Sequence, residues 1–146
     1  MFKRILYPTD FSDVAGKAMD YIKGLEGCKP EEVIILHVIN ERNIEALRIY
    51  AAGKINFEDF IKEMIDDATR LLDWIESELK VCGYHVKKRV EVGNPLQEIL
   101  KIEEEENISI IILGSHGKTN LTEMFLGSVS EKVIRKSKGP VLVVKR

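Results

Sequence analysis

The chain of 146 residues carries 22 Lys and Arg against 24 Asp and Glu, a formal charge of −2, with 45% hydrophobic and 32% charged residues. That balance suits one globular domain with a real core, spanning 1–146, and leaves no basic footprint for nucleic acid or an anionic membrane. No apolar run nears the roughly 18 residues that span a bilayer, Met1-Phe2-Lys3-Arg4 runs into a strand-like segment and not a signal sequence, and Cys28 and Cys82 lack metal or disulfide spacing, so a cytoplasmic protein with reduced thiols is expected.

The first strand runs through Ile5-Leu6-Tyr7 and stops near Pro8-Thr9-Asp10, because proline cannot donate to a ladder. Ser12 then caps a helix whose apolar positions Val14, Ala15, Ala18, Met19, Ile22 and Leu25 form one stripe, and Gly24 and Gly27 end it. Val33 to Ile39 is nearly continuous in apolar residues, as a strand covered on both faces requires. Asn40 to Asn56 lacks clean periodicity and reads as a mobile excursion or lid with some helix. From Phe57 an apolar stripe runs to Leu79, and Cys82-Gly83 stops it; Met64 and Trp74 on it read as packing residues.

His85 to Gly93 alternates Val86, Val90 and Val92 with polar neighbours, the pattern of a half-covered edge strand. Asn94-Pro95-Leu96-Gln97 reads as a helix start, with Leu96, Ile99 and Leu100 toward the core and Glu103 to Glu106 as a solvated face. Ile108 to Leu113 forms the fourth strand. Ser128-Val129-Ser130-Glu131 has capping-box spacing for the last helix, with Val133 and Ile134 on its apolar face, and Val141 to Val144 forms the last strand. The order βαβαβαβαβ gives a doubly wound, five-stranded parallel α/β sheet in the order 3-2-1-4-5 with helices on both faces. Ligands in such sheets bind beyond the carboxyl ends of the strands at the switch point, here Pro8-Thr9-Asp10 and Gly114-Ser115-His116-Gly117.

The second of these stretches carries most of the functional information. A Walker loop is excluded because Gly117-Lys118-Thr119 has Ile112 where the first glycine belongs, and a dinucleotide fingerprint would follow the first strand with different spacing. What remains is Gly114-x2-Gly117-x9-Gly127-Ser128. A glycine-punctuated loop ahead of a helix start suits an anion, since backbone N–H groups approach it closely and the helix end favours negative charge. Several residues keep two readings. Ser128 either caps its helix or meets phosphate. Asp10 is either a turn residue before Ser12 or a polar handle for a ligand. His116 either contacts phosphate or occupies the loop, and His37 is a core or crevice-edge histidine.

This loop, together with Lys3 to Ser12, Val33 to Val38 and Pro140 to Val144, resembles the universal stress protein family, and in its Lys118-Thr119-Asn120-Leu121 form the ATP-binding archaeal members. Many members carry glycine where this chain has Asn120, a residue that tolerates left-handed backbone. The resemblance implies an adenine nucleotide alpha hydrolase-like fold that binds ATP, with Mg2+ or Mn2+ carried by the phosphates. It implies that Pro8, Thr9 and Asp10 line the nucleoside pocket and that Val38 packs on adenine. Leu113, Gly114, Ser115, His116, Gly117, Lys118, Thr119 and Asn120 would wrap ribose and phosphates, and Gly127, Ser128 and Val129 would hold the phosphate tail. A homodimer through the C-terminal edge strand and an unidentified protein partner follow from the same resemblance. The expected function is a nucleotide-dependent switch in the stress response, set against a slow ATPase or nucleotidyl-transfer enzyme and, third, a ligand-free dimeric adaptor. A loop without an evident hydrolytic base favours holding nucleotide over spending it, and no catalytic residue is assigned.

Overall fold

The computed structural model describes every residue except Met1, Lys29, Ile55 and 117–125, and at Glu26 the backbone alone. Strand β1 (Arg4–Pro8) leads to α1 (Asp13–Gly24), β2 (Glu32–Asn40), α2 (Glu41–Tyr50) and α3 (Phe57–Val81). Then follow β3 (His85–Gly93), α4 (Pro95–Glu105), β4 (Ile110–Gly114), α5 (Ser128–Lys136) and β5 (Val141–Val144). All strands are parallel, in the order β3-β2-β1-β4-β5. β1 pairs with β2 from Arg4↔Glu32 to Pro8↔Leu36 and with β4 at Ile5↔Ile110 and Leu6↔Ile111, so the chain reverses direction across the sheet between β1 and β4.

Because side chains alternate along a strand, each central strand feeds two cores. Ile5, Tyr7, Val33, Ile35, Ile110 and Ile112 pack against Ala18, Met19 and Ile22 of α1 and Leu72, Ile75 and Leu79 of α3. Leu6, Ile34, Leu36, Ile111 and Leu113 pack against Ile99 and Ile102 of α4 and Val133 of α5 on the opposite face. The near-continuous apolar runs of β1, β2 and β4 are thus explained by burial on both sides. β3, at one edge, keeps its alternation of exposed and half-buried residues.

Four expectations are corrected. The segment after Asn40 forms a regular ten-residue helix, α2, capped by the Asn40 side chain; only Ile44 of it is buried, which is why no apolar stripe marks it. Trp74 is 58% exposed and Ile134 44%, so neither is a core residue. On α4 the core face is Leu96, Ile99 and Ile102, while Leu100 is half-buried. Glu103 is no part of a solvated face: it is 7% exposed, and its Oε1 accepts from Ser137 Oγ at 2.6 Å and from the Lys138 and Gly139 amides at 3.0 Å. A buried carboxylate is tolerated because these donors replace water. They fix the turn between α5 and β5.

Candidate functional site

At the carboxyl ends of β1, β2 and β4 lies a cleft of about 540 Å3. One wall comprises Pro8, Thr9 and Asp10, followed by Leu36 to Asn40 at the end of β2 with Asn43 and Met64 above them; the other comprises Leu113, Gly114, His116 and Gly127 to Ser130. Of the residues singled out in the sequence, Pro8, Thr9, Asp10, Val38, Leu113, Gly114, His116, Gly127, Ser128 and Val129 therefore meet around one space. Ser115 is wholly buried and stands behind it. Gly117, Lys118, Thr119 and Asn120 lie outside the described residues. Sequence reading missed Asn40, Asn43 and Met64, which reach the cleft only because α2 and the start of α3 fold back over the end of β2.

The β1 wall is held by a set of local bonds. Tyr7 donates its hydroxyl to the Ala15 carbonyl at 2.6 Å, and burial pushes that phenol up to about 12. Thr9 continues the ladder by donating its amide to the Leu36 carbonyl at 2.8 Å. The Thr9 hydroxyl oxygen accepts from the amide of Phe11 at 3.1 Å, and Phe11 itself has a left-handed φ of 63°. A bulky residue seldom adopts that conformation. It is compensated here by stacking of the Phe11 ring on the His37 imidazole, with centroids 4.5 Å apart. His37 in turn donates its Nδ1–H to the Thr9 carbonyl at 2.8 Å, which makes it a crevice-edge histidine with a structural bond. Asp10 Oδ1 accepts from the Ser12 amide at 3.0 Å, so Asp10 shapes the turn and lines the cleft at once.

Two glycines of the loop pattern stand in tight packing. A Cβ on Gly114 would stand 2.9 Å from Val14 Cγ1 and 3.1 Å from the Ala15 amide nitrogen, so only glycine lets the end of β4 meet the start of α1. A Cβ on Gly127 would lie 3.2 Å from the Ser115 carbonyl oxygen and 3.3 Å from His116 Cα. The Gly127 amide donates to that same Ser115 carbonyl at 2.7 Å, and Ser130 Oγ donates to it at 2.8 Å. The start of α5 is thereby clamped to the end of β4.

The helix starts then separate into two kinds. α1, α2, α3 and α4 open with a side-chain cap: Ser12 accepts from Ala15, Asn40 from Arg42, Asn56 from Glu58 and Asn94 from Gln97. α5 opens at Gly127 with no side-chain cap. Ser128, which the capping-box spacing marks as the cap, is instead its first residue and is exposed. The helix ladder leaves its first amides without carbonyl partners. With the Gly127 amide spent on Ser115, those of Ser128, Val129 and Ser130 have no hydrogen-bond partner among the described residues and stand at the wall of the cleft. Aligned peptide dipoles add about half a positive charge there. The site is thus preset for an anion beside a largely apolar pocket.

Residues 1–145 match the model of the Universal stress protein family. The chain is 47% identical to universal stress protein MJ0577 of Methanocaldococcus jannaschii, over 100% of this chain and 96% of that one. The solved structure of MJ0577 superposes with a TM-score of 0.89, covering 100% and 97% of the two chains. The structure of hypothetical protein PH0823 is 38% identical, with a TM-score of 0.82 over 100% and 97%. Among more distant structures that share the fold, one at 21% identity is a universal stress protein in complex with cAMP, TM-score 0.70, covering 97% and 96%. Another, Arabidopsis thaliana At3g01520 at 16% identity, was solved with AMP bound, TM-score 0.63 over 99% and 92%.

Proposed function

This chain belongs to the universal stress protein family, and from that premise we propose that it is an ATP-binding regulatory switch of the stress response. The observation that carries the reading is the uncapped start of α5, whose Ser128, Val129 and Ser130 amides stand at the wall of the cleft. In the proposed complex those amides take the phosphate tail, and Val38 packs on the adenine ring. Asp10, already bonded to the Ser12 amide through one oxygen, offers its carboxylate to the nucleoside. Pro8, Thr9, Leu113 and Gly114 complete the wall around base and ribose, and Gly117 to Asn120 follow them in the sequence. A volume of about 540 Å3 falls in the range of small-molecule sites. The AMP and cAMP carried by two distant structures of the fold support an adenine nucleotide in particular.

A divalent cation, Mg2+ or Mn2+, fits this arrangement as a passenger on the phosphates. The described residues assemble no cluster of three or more His, Cys, Asp or Glu, so the cation would draw its ligands from nucleotide and water. The cytoplasm is the proposed location; no helix among the described residues is long and apolar enough to cross a membrane. We also propose a homodimer through β5, a four-residue edge strand whose Leu142 is 36% exposed, since exposed edges are relieved by pairing.

Isothermal titration of micromolar protein with ATP tests the reading. Saturable heat with release of intact ATP supports a switch, and steady turnover would make the protein an ATPase instead. No heat and no thermal shift at millimolar ATP would sink the nucleotide reading. Light scattering checks the dimer, which a monomeric mass contradicts.

A further inference from the structure

The face of the sheet opposite α4 and α5 carries an opening that the nucleotide reading leaves unused. Between α1 and α3 lies a pocket of about 160 Å3, floored by Met19 and Ile75 and rimmed by Gly16 on one helix and by Leu71 and Trp74 on the other. It is separate from the cleft, although Thr9 lines both. Ser12, Gly16 and Met19 on α1, like Leu71, Trp74 and Ile75 on α3, fall at three- and four-residue spacings, so each helix turns one face to the pocket. The rim is uncovered: Leu71 is 48% exposed and Trp74 58%.

Gly16 and the charge of α3 indicate what that opening is for. Gly16 stands within α1, where glycine weakens a helix relative to alanine. A Cβ built on it would meet nothing within 4 Å, so no neighbour demands the glycine; what it preserves is the space beside Trp74. α3 carries eight Asp and Glu against three Lys and Arg, a net charge of −5 in a chain whose total is −2. The cations nearest the pocket are already engaged, Arg70 with Asp67 and Lys23 with Glu78. Glu63 and Asp66 on α3, and Asp20 one turn from Gly16, make no ion pair among the described residues, and Lys17 on α1 does not offset all three.

A pocket of this volume takes one side chain of leucine or phenylalanine size, since a cavity of about 150 Å3 takes a benzene ring. The acidic surround adds attraction for Lys and Arg on either side of such an anchor. A second copy of this chain fits poorly, because its α3 would bring the same negative excess to a twofold contact. We propose that the α1–α3 pocket is the docking site for a basic amphipathic helix of a protein partner, which seats one apolar side chain between Gly16 and Trp74 and sets its Lys and Arg against the carboxylates of α3. The site stands whether or not the cleft takes ATP.

Trp74 is the chain's single tryptophan, so its emission reports on this pocket alone. The probe is a synthetic peptide of Lys, Ala and Leu about 18 residues long, with Leu along one helical face; two controls replace every Lys by Glu or every Leu by Ser. The Lys-Leu peptide should shift Trp74 emission to shorter wavelength saturably and bind at least about tenfold tighter than either control. Gly16→Leu, which fills the pocket and favours the helix, should weaken the peptide about tenfold with no loss of melting temperature. Asp66→Lys, at an exposed position, should weaken it about threefold and keeps the test open if Gly16→Leu folds poorly. Emission indifferent to the peptide overturns the proposal, as does equal binding of the Lys and Glu peptides or an affinity unchanged in both variants. A wild-type mass by light scattering that falls in Gly16→Leu would put a second copy in the pocket and overturn it too.

Discussion

α4 and α5 begin at the same end of the sheet and pack on the same face, yet their first turns are built on opposite lines. α4 follows Gly93 with Asn94, whose Oδ1 accepts from the Gln97 amide at 3.2 Å, and with Pro95, which has no amide to satisfy. α5 follows Gly114 by way of Gly127, which supplies no side chain, and Ser128, which keeps its amide. The first start settles its own backbone and contributes to stability. The second leaves the Ser128, Val129 and Ser130 amides without a hydrogen-bond partner among the described residues. Under the proposed function, the phosphate end of the cleft is the place where a cheap local stabilisation, present at α1 through α4, has been left out.

The preceding glycines offer the sharpest way to break this comparison. At Gly93 a new Cβ meets the Glu98 side chain at 3.1 to 3.5 Å, and a flexible carboxylate arm can move. At Gly114 it meets Val14 Cγ1 at 2.9 Å and backbone of α1 at 3.1 Å, which cannot. Gly114→Val should cost about 3 kcal/mol in urea unfolding, whereas Gly93→Ala should cost under about 1 kcal/mol. Equal costs would show that β4 and α1 are less tightly wedged than described.

Ser128→Pro converts the start of α5 into that of α4. Gly127 sits at φ −60° and ψ 152°, a conformation proline accepts before it, and proline is favoured at the first helical position. Calorimetry should therefore give an ATP affinity about tenfold lower, some 1.4 kcal/mol, with adenosine affinity and melting temperature nearly unchanged. Retained ATP affinity would mean that the phosphates are held elsewhere. The converse variant, Asn94→Ala, should cost about 1 kcal/mol of stability and leave ATP affinity alone.

The smallest effect concerns charge away from the cleft. Lys87 beside Glu106 holds that carboxyl below its ordinary value, and Lys80 and Lys88 do the same for Glu76. A lowered folded-state value stabilises above the unfolded carboxylate range and loses that contribution as pH falls through the folded value. Glu106→Gln should thus lower stability by under about 1 kcal/mol at pH 7, and the gap to wild type should close below about pH 4 in thermal unfolding. A gap that widens on acidification would reverse the assigned sign.

The sequence made the sheet order, the Ser12 and Asn94 caps and the two walls of the cleft readable, because each rests on local chemistry or on burial that repeats along the chain. It hid what depends on distant neighbours. Glu103 sits in a run of four glutamates that looks solvated, and only the turn at Ser137 to Gly139, brought beside it by the fold, makes it a buried acceptor. Ser128 loses the capping role its spacing suggests because the clamp on Ser115 starts α5 at Gly127. The glycine pattern itself proved double. Gly114 is required by packing and Gly127 sits in a tight fit whether or not a ligand is bound, so the glycine count alone does not mark a ligand site.

The two edges of the sheet also differ, and the difference sets a valence. β3 is armoured: Lys88 is tied to Asp73 and Glu76, and Arg89 to Glu91, Glu105 and Glu106. Adding a strand there would break those pairs. β5 is short and apolar and carries no such armour among the described residues. If the dimer proposed through β5 forms, β3 offers no second edge to pair, and association would end with a closed pair and not propagate into a fibre.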